Sequence, residues 1–176
     1  MTLDEITERG ISPALRLLPA RMNSAEAGIM LLTIGLQESR FLHRRQLVGN
    51  PPRPTGPAKG FWQFERGGGV TGVMTHAATS GHAKALCQER GVTWGSSPIW
   101  DALEHDDVLA AGFARLLLWS DPGALPRVTD TDGGWKLYLR TWRPGAYTRG
   151  TPAERAQLRA KWDGHHRQAR RYLRMP

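Results

Sequence analysis

Residues 23–41 read Asn-Ser-Ala-Glu-Ala-Gly-Ile-Met-Leu-Leu-Thr-Ile-Gly-Leu-Gln-Glu-Ser-Arg-Phe, and this stretch decides the fold class. Asn23 or Ser24 offers a side-chain oxygen to the first free amides of a helix. Glu26 follows three residues after Asn23, the spacing of a capping box. The apolar run beyond it predicts a helix through about Phe41. On that helix Ala27, Leu31, Ile34, Gly35 and Glu38 recur at intervals of three and four, so a carboxylate ends an otherwise apolar stripe. Partial desolvation and the negative end of the helix dipole both disfavour its ionised form. A raised pKa is what a general acid working near neutral pH needs. The bland alternative is that Glu38 pairs with Arg40 or Arg44 in solvent.

Working toward the C-terminus, residues 43–59 turn to Pro, Gly, Arg and Asn (GNPPRPTGPAKG over 49–60), a composition that cannot sustain a helix. A loop of this length inside a small domain is usually functional. It ends in Gly60-Phe61-Trp62-Gln63-Phe64-Glu65, where aromatic residues, an amide and a second carboxylate cluster. Aromatic faces stack on sugar rings and an amide bridges ring hydroxyls, so the segment suits a carbohydrate cleft. Equally, Phe61, Trp62 and Phe64 suit the core of a buried strand.

Gln37-Glu38-Ser39-Arg40-Phe41, a loop, and then Gly60-Phe61-Trp62-Gln63 together resemble the soluble lytic transglycosylases. In that family a helix ends in Glu-Ser-x-Phe and a Gly-Leu-Met-Gln segment follows. Farther along, Ala110 to Leu117 (AAGFARLL) resembles the family's core helix, and Trp135 to Gly145 (WKLYLRTWRPG) stands where the family carries Tyr-Asn-Ala-Gly-Pro-Gly. The resemblance covers roughly Ser24 to Gly145. It implies a mainly α, lysozyme-like fold with a small irregular or β element between Arg44 and Phe64. It also implies cleavage of the β-1,4 bond between N-acetylmuramic acid and N-acetylglucosamine in peptidoglycan. By the same resemblance Glu38 is the catalytic acid, Ser39 positions substrate or the glutamate, and Gly60, Phe61, Trp62 and Gln63 line the glycan subsite. The family's supporting tyrosine is replaced at Arg140-Thr141-Trp142-Arg143, and Tyr138, one helical turn upstream, is the candidate in its place. Trp142 completes the expected substrate-facing set. Goose-type lysozymes of the same fold carry an aspartate at the offset occupied here by Glu65, which would make an inverting hydrolase the alternative to the lyase.

The rest of the chain fits one catalytic domain over 1–176. Its 176 residues allow a single core, and 40% hydrophobic with 23% charged residues is an ordinary globular composition. Start signals at Ser12-Pro13, Ser80, Ser97-Pro98, Asp106-Asp107 and Asp132 predict further helices, Val108–Trp119 being the most apolar. Thr151-Pro152-Ala153-Glu154 opens a basic amphipathic helix over about 152–173. Leu158, Trp162, His165, Ala169 and Tyr172 share one face of it, and arginines crowd the rest. That helix either docks on the core with a solvated back or engages anionic outer-membrane or membrane lipid.

Lys and Arg number 24 against 16 Asp and Glu, a formal charge of +8 that attracts polyanions. A basic helical nucleic-acid-binding protein is the more distant alternative; the basic residues are spread along the chain, so nucleic acid is not the expected partner, and the resemblance implies peptidoglycan glycan strands instead. His76, His82, Cys87 and the His165-His166 pair form no closed metal-ligand spacing, and neither metal nor cofactor is expected. The first ten residues lack a basic and apolar leader. The expectation is a phage-type enzyme, either an endolysin made in host cytoplasm and acting in the periplasm or a virion component, working as a monomer.

Overall fold

In the computed structural model, which describes residues 1–175, the chain opens with helix α1 (Leu3–Ile6). The Thr2 hydroxyl accepts from the Glu5 amide and the Glu5 carboxylate accepts from the Thr2 amide. A π-helical turn (Thr7–Ile11) carries α1 without a break into α2 (Ser12–Leu17). This corrects the start predicted at Ser12-Pro13: Ser12 lies inside continuous helix, and its amide donates to the Thr7 carbonyl. The true start signal was the capping box Thr2-x-x-Glu5, hidden because so few apolar residues follow it.

Helix α3 (Ala25–Glu38) begins where predicted, with Ser24 Oγ accepting from the Ala27 amide at 3.2 Å, and is buried on almost every side from Ile29 to Leu36. It stops at Glu38 rather than near Phe41. Arg40 and Phe41 take φ of 55° and 56°, which swings the chain back along the helix. The turn seats the Phe41 ring against Gly35, where any Cβ would overlap it. Burial of that ring, left 1% exposed, offsets two left-handed residues that cost on the order of 1–2 kcal/mol each.

The Pro/Gly segment that follows is irregular but tied down. Arg45 bridges Lys59 and Val48 bridges Arg53, and strand β1 (Ala58–Lys59) pairs antiparallel with β2 (Phe64–Glu65), Ala58 opposite Glu65. Gly60 makes the turn between them at φ +71°, and a Cβ there would lie 2.7 Å from the Leu103 carbonyl oxygen. Next to it Lys59 is 5% exposed, its ammonium 2.8 Å from Asp101, 3.0 Å from Glu104 and 3.8 Å from the centre of the Trp100 ring. Arg44 forms a two-pronged pair with Asp107 at 3.0 and 2.7 Å.

A second π-helical turn (Arg66–Val70) leads into α4 (Thr71–Thr75), then α5 (Ser80–Glu89), which Gly91 ends at φ +64°. Helix α6 (Ser96–Ala102) follows. Helix α7 (Asp107–Trp119), capped by Asp106 on the Leu109 amide at 2.9 Å, is buried along nearly its whole length. The chain closes with α8 (Thr131–Trp142), α9 (Gly145–Thr148) and α10 (Pro152–Tyr172), the last opened by a Thr151/Glu154 capping box. The fold is therefore mainly helical with one small antiparallel sheet. Among the described residues no helix is long and apolar enough to cross a membrane.

Helix α10 packs along α3, with Trp162, His166 and Ala169 buried, while Arg155, Lys161, Arg167, Arg171 and Arg174 stay exposed. The apolar face is rotated from the predicted one: His166 is the 1% exposed histidine, bonded through Nδ1 to the Thr131 hydroxyl at 3.0 Å. His165 lies at the edge instead.

Replacing Gly60 by Ala forces a Cβ against a backbone carbonyl at positive φ, and we expect a loss of at least ~2 kcal/mol. Gly67 is exposed, and a Cβ added there would meet no atom within 4 Å, so Ala should be tolerated within about 0.5 kcal/mol. Urea denaturation of the two variants is the check.

Candidate active site

Two helix positions far apart in sequence meet at one hydrogen bond. Glu38, the last residue of α3, accepts from the Tyr138 hydroxyl of α8 at 2.5 Å. Tyr138 is 3% exposed and its ring stacks with two indoles. Trp162 of α10 lies 5.0 Å away, centre to centre, at 23° between planes, and Trp142 lies 6.4 Å away at 27°. Each flanking indole is itself tethered: Trp162 Nε1 donates to the Thr131 carbonyl at 3.1 Å and Trp142 Nε1 to the Trp62 carbonyl at 2.9 Å. A phenol held so rigidly has little freedom to seek another acceptor, and a buried hydroxyl needs one.

Burial pushes the Glu38 carboxyl from 4.5 up to about 7, and the Tyr138 hydrogen bond, which favours the ionised form, pulls against that rise. The residue as a whole is half-buried. Tyr138 moves the same way: burial first, then the neighbouring carboxylate, hold its hydroxyl well above the usual phenol range. The solvent ion pair considered from sequence does not form. Arg44 is committed to Asp107, and among the described residues no cation lies within ion-pair distance of Glu38.

Ser39 joins the acid to the glycine-aromatic segment. Its hydroxyl donates to the Phe61 carbonyl at 2.8 Å and accepts from the Phe41 amide at 3.1 Å, fixing the turn just after Glu38. Phe61 and Trp62, expected to line the glycan subsite, are corrected: they are 1% and 0% exposed and present no ring to solvent. Phe61 packs edge-on to Phe41 at 5.5 Å, and Trp62 reaches beneath α3 to donate its indole N–H to the Leu31 carbonyl at 2.9 Å. Gly60 is likewise buried, and its role is the turn. Gln63 takes φ +52° and is half-buried, its amide nitrogen donating to the Gly60 carbonyl at 2.9 Å. Glu65 is exposed at the end of β2. Trp142 is half-buried, its ring against Phe64 at 6.0 Å and Tyr138.

Sequence reading missed the contribution of α10. Gln37, the neighbour of Glu38, is clamped there: its amide oxygen lies 3.0 Å from His165 Nδ1 and its nitrogen donates to the Leu158 carbonyl at 3.4 Å. Trp162 was visible as an apolar-face residue, but nothing in the sequence paired it with Tyr138. Two concavities of about 320 and 270 Å³ lie elsewhere, one beside Thr131 and His166, the other beside Arg115; neither borders Glu38. Among the described residues no group of three or more His, Cys, Asp or Glu is placed to hold a metal ion. Cys87 is buried and its thiol is pushed up to about 11 by that burial. No family model, curated protein or solved structure matches this chain.

Because Glu38 holds its proton more tightly folded than unfolded, it imposes no penalty below pH 4.5, and stability falls as pH rises from there through about 7. Glu38→Gln removes that fall. The urea midpoints of variant and wild type should diverge in favour of the variant between pH 4.5 and 8, by on the order of 2 kcal/mol at the upper end. Parallel pH profiles for the two proteins would refute the raised pKa.

Proposed function

We propose that this chain cleaves the glycan strands of bacterial peptidoglycan, with Glu38 as general acid and then general base. The single observation that carries the reading is a carboxyl group at a helix end, pushed up to about 7 and held by the Tyr138 hydroxyl at 2.5 Å. Such a group is half protonated near neutral pH, so it can give a proton to a leaving oxygen and afterwards accept one. The resemblance of residues 37–41 and 60–63 to lytic transglycosylases supplies the substrate class, and a lysozyme-like arrangement of the helices around the small sheet is part of the same proposal.

In the lyase form of the reaction, Glu38 protonates the oxygen that bridges C1 of the muramoyl residue to the next sugar, and the C1–O bond breaks. The C6 hydroxyl of the same muramoyl residue attacks C1, its proton passing to the Glu38 carboxylate. A 1,6-anhydro end forms, the glutamate is regenerated protonated, and no second carboxylate is used. Tyr138 is the positioning residue: it fixes the carboxylate and stabilises its charge between the two proton transfers. The exposed basic back of α10 favours an acidic envelope over neutral surfaces.

Mass spectrometry of muropeptides released from purified peptidoglycan tests the reading. Anhydromuramic ends are expected from wild type. Reducing ends would make the chain a hydrolase with Glu65 as the candidate second carboxylate, and intact strands would refute cleavage altogether. Glu38→Gln should lose activity by about 10²–10⁴-fold. Tyr138→Phe should lower kcat about tenfold and move the alkaline limb of the pH profile upward, since the bond that favours the carboxylate is gone. An unmoved limb would deny Tyr138 its part.

A further inference from the structure

Arg115, in the middle of α7, is 2% exposed and has no carboxylate within ion-pair distance among the described residues. Its Nε donates to the Met22 carbonyl at 2.8 Å, but its buried Nη1 has no partner. The guanidinium lies over the Trp119 ring, 5.1 Å from its centre. Burial lowers its pKa to about 10, which still leaves it a cation at neutral pH. An unpaired buried charge of this kind is among the most costly features a core can hold, and it points to a missing counter-charge.

The place for one adjoins it. A cavity of about 270 Å³ is bounded by Arg115 and by the apolar side chains of Leu118, Trp119, Pro122, Ala124 and Leu125. Asp121 also borders it, but that carboxylate is engaged elsewhere, by Arg140 at 3.0 and 3.3 Å and by the Gly123 amide at 3.2 Å. Exposed Arg21, over the same Trp119 ring at 5.5 Å, adds to the positive potential outside.

We propose that this cavity binds a small monocarboxylate with an apolar body, the carboxylate pairing with the Arg115 guanidinium and the body lying against Trp119 and its apolar neighbours. One uncompensated charge matches a monoanion. At about 30 Å³ per water-sized group, the space admits a body of under about ten heavy atoms. The site lies apart from Glu38 and does not depend on the proposed cleavage activity.

Titration of the full ¹⁵N-labelled chain with N-acetylalanine, and in parallel with its neutral amide of nearly equal size, tests the site by NMR. Saturable shifts at the Arg115 Nε–H and the Trp119 indole N–H are expected with the acid and not with the amide. Arg115→Met and Ala124→Trp should each weaken binding at least tenfold. Ala124 is exposed, so its variant fills the cavity while leaving the guanidinium and the core in place, and it decides the question if Arg115→Met does not fold. Equal shifts with the amide, undiminished binding by Ala124→Trp, or no saturable response at millimolar concentration would each overturn the proposal.

Discussion

The hydrogen bond from Tyr138 to Glu38 is the contact on which the surrounding architecture converges. It joins the end of α3 to the middle of α8, and neither helix is free to drift because each is held from a second direction. Trp62 pins the segment after the loop to α3 through the Leu31 carbonyl, while Trp142 pins α8 to that same segment through the Trp62 carbonyl. Helix α10 completes the arrangement by stacking Trp162 on Tyr138. Trp62 and Trp162, both fully buried, are thus structural supports rather than a surface for sugars. Stacking and area burial hold them in place, and the few polar atoms they carry are spent on backbone carbonyls.

Three buried ionisable groups show how differently the fold treats charge. Lys59 is surrounded by two carboxylates and an aromatic face, which offset the cost of burying it. Glu38 has one neutral donor and, among the described residues, no cation, and the result is a carboxyl that keeps its proton up to about pH 7. Among the described residues Arg115 has one carbonyl and the Trp119 ring but no carboxylate, and its charge is kept because a guanidinium does not give up its proton under these conditions. The first arrangement stabilises a loop. The second is suited to moving protons, and the third to receiving an anion.

Much of this was legible in the sequence where the signals are local. The start of α3, the Asp106 cap of α7 and the capping box of α10 depend on side chains bonding to amides two or three residues away. The mainly helical class follows from the same kind of reading, whereas the small β element after Arg44 and the choice of Tyr138 came through the resemblance. What escaped depends on distant partners. Whether Phe61 and Trp62 face a cleft or the core is decided by Phe41 turning back at positive φ and by the underside of α3, neither of which spacing along the chain encodes. The rotation of α10 that buries His166 rather than His165 is likewise set by Thr131, 35 positions away. The unpaired state of Arg115 is an absence of neighbours, visible only once the helices are packed.

The most direct measurement is a titration of the Glu38 side-chain carboxyl by ¹³C NMR in selectively labelled protein, assigned by loss of its signal in Glu38→Gln. The account predicts a midpoint near 7. A midpoint near 4.5, that of an ordinary solvated glutamate, would contradict it.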